Sequence, residues 1–305
     1  MLAVVIPYYN IAFFERTIQS LASQTDKRFR VYIGDDASPN NPCEIVAKFQ
    51  SQIAIEYRKF ETNLGAISLV KQWQRCIDLI QNEEWIMVLG DDDVLDPNCI
   101  SLFYNCIDKA KLSDCKVIRY ASQYIDEYNE LLKGYFPYYH PEVEKATDSY
   151  FRNLMGESRS SLSEHIFLRT TYEKYFFYDY PLAWHSDDRA WLEFSEYQNI
   201  FTINEAMVSV RVSQNSITGK KDNVALKNKA TLEFYQFLIA KETGQYFTRD
   251  QREFLILEFA HKLKLNNTLN FKVAIQLINQ LLKSGFFLAT LKLCNRYFRF
   301  KFYKK

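Results

Sequence analysis

The chain has 305 residues, 48% hydrophobic and 25% charged, with 38 Lys and Arg against 37 Asp and Glu. This is the normal globular range, large enough to bury a substantial core, and with only eight Gly and seven Pro it leaves little room for long disordered linkers. The six cysteines form no CxxC pair and the four histidines are scattered, so no zinc pattern appears and a reduced, cytoplasmic protein is expected. No apolar run reaches the ~18 residues of a spanning helix, and Met1 to Pro7 lacks the basic lead of a signal peptide.

Charge is unevenly spread. From Phe259 onward there are ten Lys or Arg and no acid, which leaves 28 basic against 37 acidic groups in the remainder, a balance of −9.

Along the chain, Leu2 to Ile6 reads as an apolar strand closed by Pro7-Tyr8-Tyr9-Asn10. Phe13 to Gln24 has helical spacing. Arg30 to Gly34 is a second strand, ending in Asp35-Asp36-Ala37-Ser38. Pro42 to Gln50 suits a helix, Ile53 to Tyr57 a third strand, and Asn63-Leu64-Gly65 a turn before a helix over Ala66 to Ile80. Trp85 to Leu89 is a fourth strand. Pro97 opens a helix to Ala110, and Lys116 to Tyr120 is a fifth strand. This alternation with short connections predicts a parallel, doubly wound α/β sheet. A weaker pattern follows from Asp126 to Ser163, with a helix over Glu142 to Leu154. Then come a strand over Ser163 to Leu168, a short helix over Thr170 to Phe176, and strands over Ile200 to Ile203 and Met207 to Val212. Ser186 reads as an N-cap with Asp187 and Asp188 in the first turn of its helix. After Lys220 the spacing is helical to the end, which predicts a domain over 1–220 and a helical appendage over 221–305.

Three strands end in polar clusters, Tyr8-Tyr9-Asn10, Asp35-Asp36 and Asp91-Asp92-Asp93, and in a parallel sheet these ends share one edge where ligands bind. Three adjacent carboxylates repel one another. A divalent cation such as Mn²⁺ or Mg²⁺ would relieve that conflict, while a solvated acidic turn is the competing structural reading. No GxGxxG follows the first strand and no GxxxxGK[ST] occurs, so the usual dinucleotide and P-loop readings lack support.

The ordered motifs Val4-Val5-Ile6-Pro7-Tyr8-Tyr9-Asn10, Ile33-Gly34-Asp35-Asp36-Ala37-Ser38, Asn63-Leu64-Gly65, Asp91-Asp92-Asp93-Val94-Leu95-Asp96-Pro97 and Asp187-Asp188-Arg189-Ala190-Trp191 resemble the family-2 inverting glycosyltransferases of the GT-A fold. The resemblance covers about residues 1–218. It implies a Rossmann-like, mixed but mainly parallel sheet flanked by helices, and sugar transfer from a nucleotide-sugar, typically a UDP-sugar. By this resemblance Pro7, Tyr8, Tyr9, Asn10, Asp35, Asp36, Asn63, Gly65, Asp91 and Arg211 would bind the donor, with Asp36 accepting from the base. Asp92 or Asp93, together with Asp91, would hold Mn²⁺ or Mg²⁺. Asp188, or else Asp187, would be the base that deprotonates the acceptor hydroxyl. The implied acceptor is a saccharide or a lipid-linked saccharide in surface polysaccharide or glycolipid assembly.

Three positions depart from the family pattern. Ala37 stands where a glycine is usual, Gly90 where the first acid of the metal motif is usual, and Ser213 where a histidine is usual. The rival readings are a sugar nucleotidyltransferase and an inactive sugar-nucleotide-binding module. The basic, aromatic tail, including Phe287, Leu291, Lys292, Tyr297, Lys304 and Lys305, suits peripheral contact with an anionic membrane at the inner face. The acidic remainder argues against nucleic acid.

Overall fold

Leu2 to Ile6 and Trp85 to Leu89 are fully buried, as unbroken apolar runs must be in a sheet covered on both faces. The computed structural model describes residues 1–212 and 223–302. Ser213, Lys304, Lys305 and the side chains of Arg296 and residues 298–302 therefore lie outside the described residues. The chain divides into two compact units, Met1–Asp222 and Asn223–Lys305.

In chain order the first unit comprises β1 (Leu2–Tyr8), α1 (Phe14–Ala22), β2 (Phe29–Asp35), α2 (Cys43–Phe49), β3 (Ile55–Lys59), α3 (Leu69–Ile77), β4 (Trp85–Val88), β5 (Val94–Leu95), α4 (Cys99–Leu112), β6 (Val117–Ile125), β7 (Val143–Lys145), α5 (Ala146–Leu154), β8 (His165–Leu168), α6 (Arg169–Tyr175), a 3₁₀ turn (Pro181–Ala183), α7 (Ser186–Phe194) and β9 (Asn199–Arg211). They form a mixed sheet in the order β3-β2-β1-β4-β8-β6-β9-β5, with β7 added on β9. The first four strands of that order are parallel, β8 runs antiparallel to both neighbours, and β6 is parallel to β9. Leu2, Val4, Ile6, Ile18, Leu21, Ile33, Met87 and Phe103 are among the side chains of the main core. There Trp85 meets Phe103 edge-on at 5.7 Å.

The observed elements differ from the sequence expectation in three instructive places. The helix expected from Ala66 begins only at Leu69, because the Ser68 hydroxyl accepts from Lys71 N at 3.1 Å and caps it there. Val143–Lys145, expected to be helical, is instead an edge strand paired to β9. The two expected late strands are one long β9. Its register against β6 slips between Tyr120 and Ala121, so that Asn204, Glu205 and Ala206 bulge past the partner strand.

The second unit comprises α8 (Val224–Ile239), α9 (Lys241–Gly244), α10 (Arg249–Leu265), α11 (Phe271–Lys283) and α12 (Phe287–Phe302). Ala240 adopts extended backbone and ends α8. Thr248 and Gln251 form a reciprocal capping box on α10, and the Asn270 side chain caps α11. Among the described residues no helix is long and apolar enough to cross a membrane.

Gly34 in β2 lets α3 approach the sheet. A Cβ there would fall inside the contact distance of the Cys76 sulfur and lie 2.9 Å from the Phe60 ring. Gly34→Ala should therefore destabilise the protein by roughly 1–3 kcal/mol, read as a lowered Tm, and adding Cys76→Ala should restore part of the loss. An unchanged Tm for Gly34→Ala would contradict this packing.

Candidate active site

β1 pairs in parallel with β2 on one side and β4 on the other, so the three C-terminal ends finish side by side on one edge. Hydrogen bonds then tie the ends together. Asp36 N donates to Tyr8 O at 3.0 Å. Asp91 Oδ2 accepts from the backbone N–H of both Tyr9 and Asn10 at 2.8 Å. Tyr8 is buried, packs 4.4 Å from the Phe14 ring and donates to Asn40 O, whereas Tyr9 beside it is exposed. Burial pushes the Asp91 carboxyl up to about 6, although the two N–H groups pull it down and the Asp93 charge adds to the rise.

Asp35 and Asp36, expected to face a nucleotide base, are both buried and both engaged by protein. Asp35 accepts from Ser38 N at 2.7 Å and from the Tyr57 hydroxyl at 2.6 Å, joining the end of β2 to β3. Asp36 accepts from Leu64 N at 2.7 Å and Gly65 N at 2.9 Å, and its third partner is the Arg75 guanidinium. The Asn63-Leu64-Gly65 turn is thus shaped around Asp36. A Cβ at Gly65 would stand 2.5 Å from Asp36 Oδ2, which explains the glycine, and Asn63 Oδ1 closes the turn by accepting from Ala66 N. Ala37 has φ +52°, the left-handed conformation that favours glycine, so the alanine holds the shape at some strain.

The three acids after β4 do three different things. Asp91 holds the loop after β1, as described. Asp93 is buried, with one oxygen accepting from the Ser163 hydroxyl and the other from Arg211 N at 2.9 Å. Asp92 is half-buried, and its carboxylate accepts no hydrogen bond from another residue among those described. Burial first, then the Asp93 and Asp91 charges, push it up to about 8. Gly90 is needed here because a Cβ would lie 2.7 Å from Asp93 Oδ2 and 3.2 Å from Asp92 Oδ1. An acid at position 90 would collide with the two that follow it, so the carboxylates begin one residue later.

Arg211, at the end of β9, was expected to meet phosphate. Its side chain is instead taken up by protein. Nε donates to Asp92 O at 2.9 Å, the two Nη groups reach Asp126 O and Asn129 Oδ1, and the guanidinium lies 4.3 Å from the Phe13 ring centre. It brackets the acidic turn and lends Asp92 a nearby positive charge.

Arg211 also lines a cavity of about 430 Å³ whose walls include Trp73, Arg159, Trp184, Asp187 and Asp188. Arg211 thus links the two groups: its Nε holds the Asp92 backbone, and it lines the hollow that contains the acid pair. Its approach is strained, with Leu182, Ala183 and His185 all at positive φ, from +54° to +71°. Ser186, expected to be the N-cap of α7, instead donates from its hydroxyl to Tyr178 O at 2.7 Å, and left-handed His185 takes the cap position. His185 Nδ1 lies 2.8 Å from Asp188 Oδ2, and Asn153 Nδ2 donates to the other Asp188 oxygen at 3.4 Å. Asp187 Oδ1 accepts from Asp188 N at 2.9 Å, and burial together with the Asp188 charge pushes the Asp187 carboxyl well above its ordinary range.

His185, Asn153, Arg159 and the two tryptophans were not promoted by sequence reading. Only His185, beside the acid pair, carried any local signal. Arg159 is buried against Glu164 at 3.5 Å and over the Tyr124 ring. Among the described residues no three His, Cys, Asp or Glu side chains converge as a ready-made cation cage. What fits a cation is Asp92, an unengaged carboxylate beside two others; Mg²⁺-type sites often use one or two carboxylates and draw their remaining ligands from substrate phosphates and water.

Residues 3–170 match the model of glycosyl transferase family 2. The chain belongs to that family. A glycosyltransferase of uncharacterised function from Mycoplasma genitalium, MG060, is 31% identical over 119 residues, covering 36% of this chain and 38% of that protein. Its Mycoplasma pneumoniae homologue is 32% identical over 116 residues, covering 36% and 37%. The matched region thus spans well under half the length of these curated relatives. Among solved structures, S. aureus TarS (residues 1–349) in complex with UDP-GlcNAc superposes with a TM-score of 0.64 at 13% identity, covering 93% of this chain and 80% of that one. The same fragment with UDP gives 0.60 at 15% identity, covering 92% and 78%. At these identities the likeness is one of fold, and the mixed, mainly parallel sheet flanked by helices is the GT-A fold of family-2 glycosyltransferases.

Asp91 and Asp92 have pKa values raised above those of the unfolded chain, to about 6 and about 8. The stability they contribute is complete below the ordinary carboxyl pKa of 3.8 and is lost as pH rises through the folded values. In EDTA, Tm should fall by about 5 °C or more between pH 5 and pH 8.5, and Asp92→Asn should flatten the slope. A slope unchanged in Asp92→Asn would show that Asp92 is not the titrating group.

Proposed function

We propose that the protein is a cation-dependent, inverting glycosyltransferase that moves a sugar from a nucleotide-sugar, a UDP-sugar, to a saccharide or lipid-linked acceptor. The observation that carries this reading is Arg211. It holds the Asp92-Asp93 turn while lining the hollow that also contains Asp187 and Asp188. Arg211 thereby joins a strand-end turn whose acid is suited to the diphosphate to the wall of the hollow that holds an acid pair suited to the acceptor.

In this reading the nucleoside lies against Pro7, Tyr8 and Tyr9 and the Asn63–Gly65 turn. Asp36 fixes that turn and the loop beside it, so its first role is to preset the nucleoside surface. Asp92 is the protein ligand for Mn²⁺ or Mg²⁺, and the donor diphosphate completes the site. When bound, the cation supplies Lewis-acid stabilisation of the charge that develops on the departing diphosphate. Asp91 and Asp93 position Asp92 through the loops they hold.

Asp188 is the base. It lines the hollow, and His185 and Asn153 hold its two oxygens in place. Asp187, with its pKa raised by burial and by its neighbour, favours its protonated form and stabilises the start of α7. Asp188 takes the proton from the acceptor hydroxyl as that oxygen attacks the far face of the anomeric carbon, which accounts for inversion.

The second unit is assigned a peripheral membrane role at the inner face of the cytoplasmic membrane, in polysaccharide or glycolipid assembly. Phe287, Leu288 and Leu291 of α12 are exposed beside Lys292, in a segment without acids. Flotation with anionic vesicles should carry the full-length protein upward; its absence would overturn this assignment.

With Mn²⁺ and a panel of nucleotide-sugars, the protein should release nucleoside diphosphate slowly without acceptor and faster with it. Asp188→Asn should bind donor normally and lose on the order of 10²–10⁴-fold in transfer, while Asp187→Asn should lose less. Full transfer by Asp188→Asn would sink the base assignment. Donor binding with no diphosphate release from any nucleotide-sugar would make the protein a binding module.

A further inference from the structure

In the second unit, α8, α10 and α11 border a cleft of about 990 Å³ that plays no part in the site described above. Its floor is apolar and buried, formed by Leu238, Leu255, Phe259 and Leu277. Its polar lining includes Lys241, Arg252 and Lys283 and contains no carboxylate. Arg252 is half-buried, and its Nε is shielded from solvent without a hydrogen-bond partner among the described residues. A guanidinium N–H left unmatched in this way is unfavourable. The ion pairs Lys229–Glu233 and Lys262–Glu258 of this unit involve none of the three cleft cations, and Lys241, Arg252 and Lys283 meet no acidic partner among the described residues.

We propose that this cleft binds a lipid chain with a phosphate head group. The chain lies on the Leu255, Phe259 and Leu277 floor, and the phosphate meets the Arg252 fork with Lys241 and Lys283 flanking it. Arg presents two parallel donors to phosphate oxygens, and three cations match a doubly charged head better than a singly charged carboxylate. A neutral apolar ligand would leave Arg252 Nε unmatched, and an isolated phosphate would leave the floor wet. A second copy of the chain is disfavoured, because an isologous contact would set the same cations against each other. The inference rests on the second unit alone and stands independently of the transfer reaction.

Isothermal titration of the full-length protein with dodecyl phosphate, kept below its micelle concentration, tests this. One equivalent should bind and raise Tm, while inorganic phosphate and dodecyltrimethylammonium should do neither and dodecanoate should bind more weakly. Arg252→Gln should weaken dodecyl phosphate on the order of tenfold or more, whereas Lys272→Gln, on α11 outside the cleft, should not. Val273→Trp should block binding by filling the cleft. Equal binding of the cationic amphiphile or of dodecanoate, or unchanged affinity in Arg252→Gln, would overturn the proposal. A dimer in the wild type that Val273→Trp disrupts would also overturn it, by assigning the cleft to a second copy.

Discussion

The site depends on one buried cation. Arg211 sits at the end of the longest strand and is 3% exposed. Its guanidinium and backbone N–H together reach Asp92 O, Asp93, Asp126 O and Asn129. A chain that places Asp91, Asp92 and Asp93 in a row at a sheet edge creates mutual repulsion and a desolvation penalty together. Arg211 offsets both, and its side chain does so through the Asp92 backbone carbonyl, so neither Asp92 carboxylate oxygen is consumed in holding it. The arrangement leaves the Asp92 carboxylate open, without a hydrogen bond from another residue among those described.

The other carboxylates follow the opposite logic. Asp36, Asp91 and Asp93 each accept at least two hydrogen bonds from groups far away in sequence, and Asp35 accepts one, from the Tyr57 hydroxyl, beside its local bond from Ser38 N. They act as crosslinks between loops that have no regular structure of their own. Loops built this way keep a fixed shape while remaining at the surface, where a ligand can reach them. Such preorganisation is what a site needs if charge is to be stabilised without reorganising the protein during reaction. The two glycines beside these acids, Gly65 and Gly90, mark where carboxylate oxygens occupy the volume a side chain would need.

Most of the parallel half of the fold was legible in the sequence, because apolar runs alternating with helical spacing and strand-end polar clusters are local signals. Which aspartate is open and which is structural was not legible. The answer lies with Ser163 and Arg211, about 70 and 118 residues from Asp93 in the chain, and no spacing rule reaches that far. Ser186 shows the limit in miniature. Its residue type is right for an N-cap, but the tertiary bond to Tyr178 O draws its hydroxyl away and the cap falls to His185. Asn153 and Arg159 come from the stretch with the weakest periodicity, so nothing local set them apart. β7 was hidden for a related reason: it is a short edge strand defined by its partner β9 rather than by its own composition.

In the proposed site Asp92 alone of the three acids presents its carboxylate to a cation, with the remaining ligands coming from the donor diphosphate. Mn²⁺ titration followed by electron paramagnetic resonance, with and without UDP, tests it directly. Mn²⁺ should bind weakly to the protein alone and markedly more tightly when UDP is present, and that enhancement should be lost in Asp92→Asn but retained in a variant remote from the site. Tight Mn²⁺ binding without nucleotide, or an undiminished UDP effect in Asp92→Asn, would contradict it.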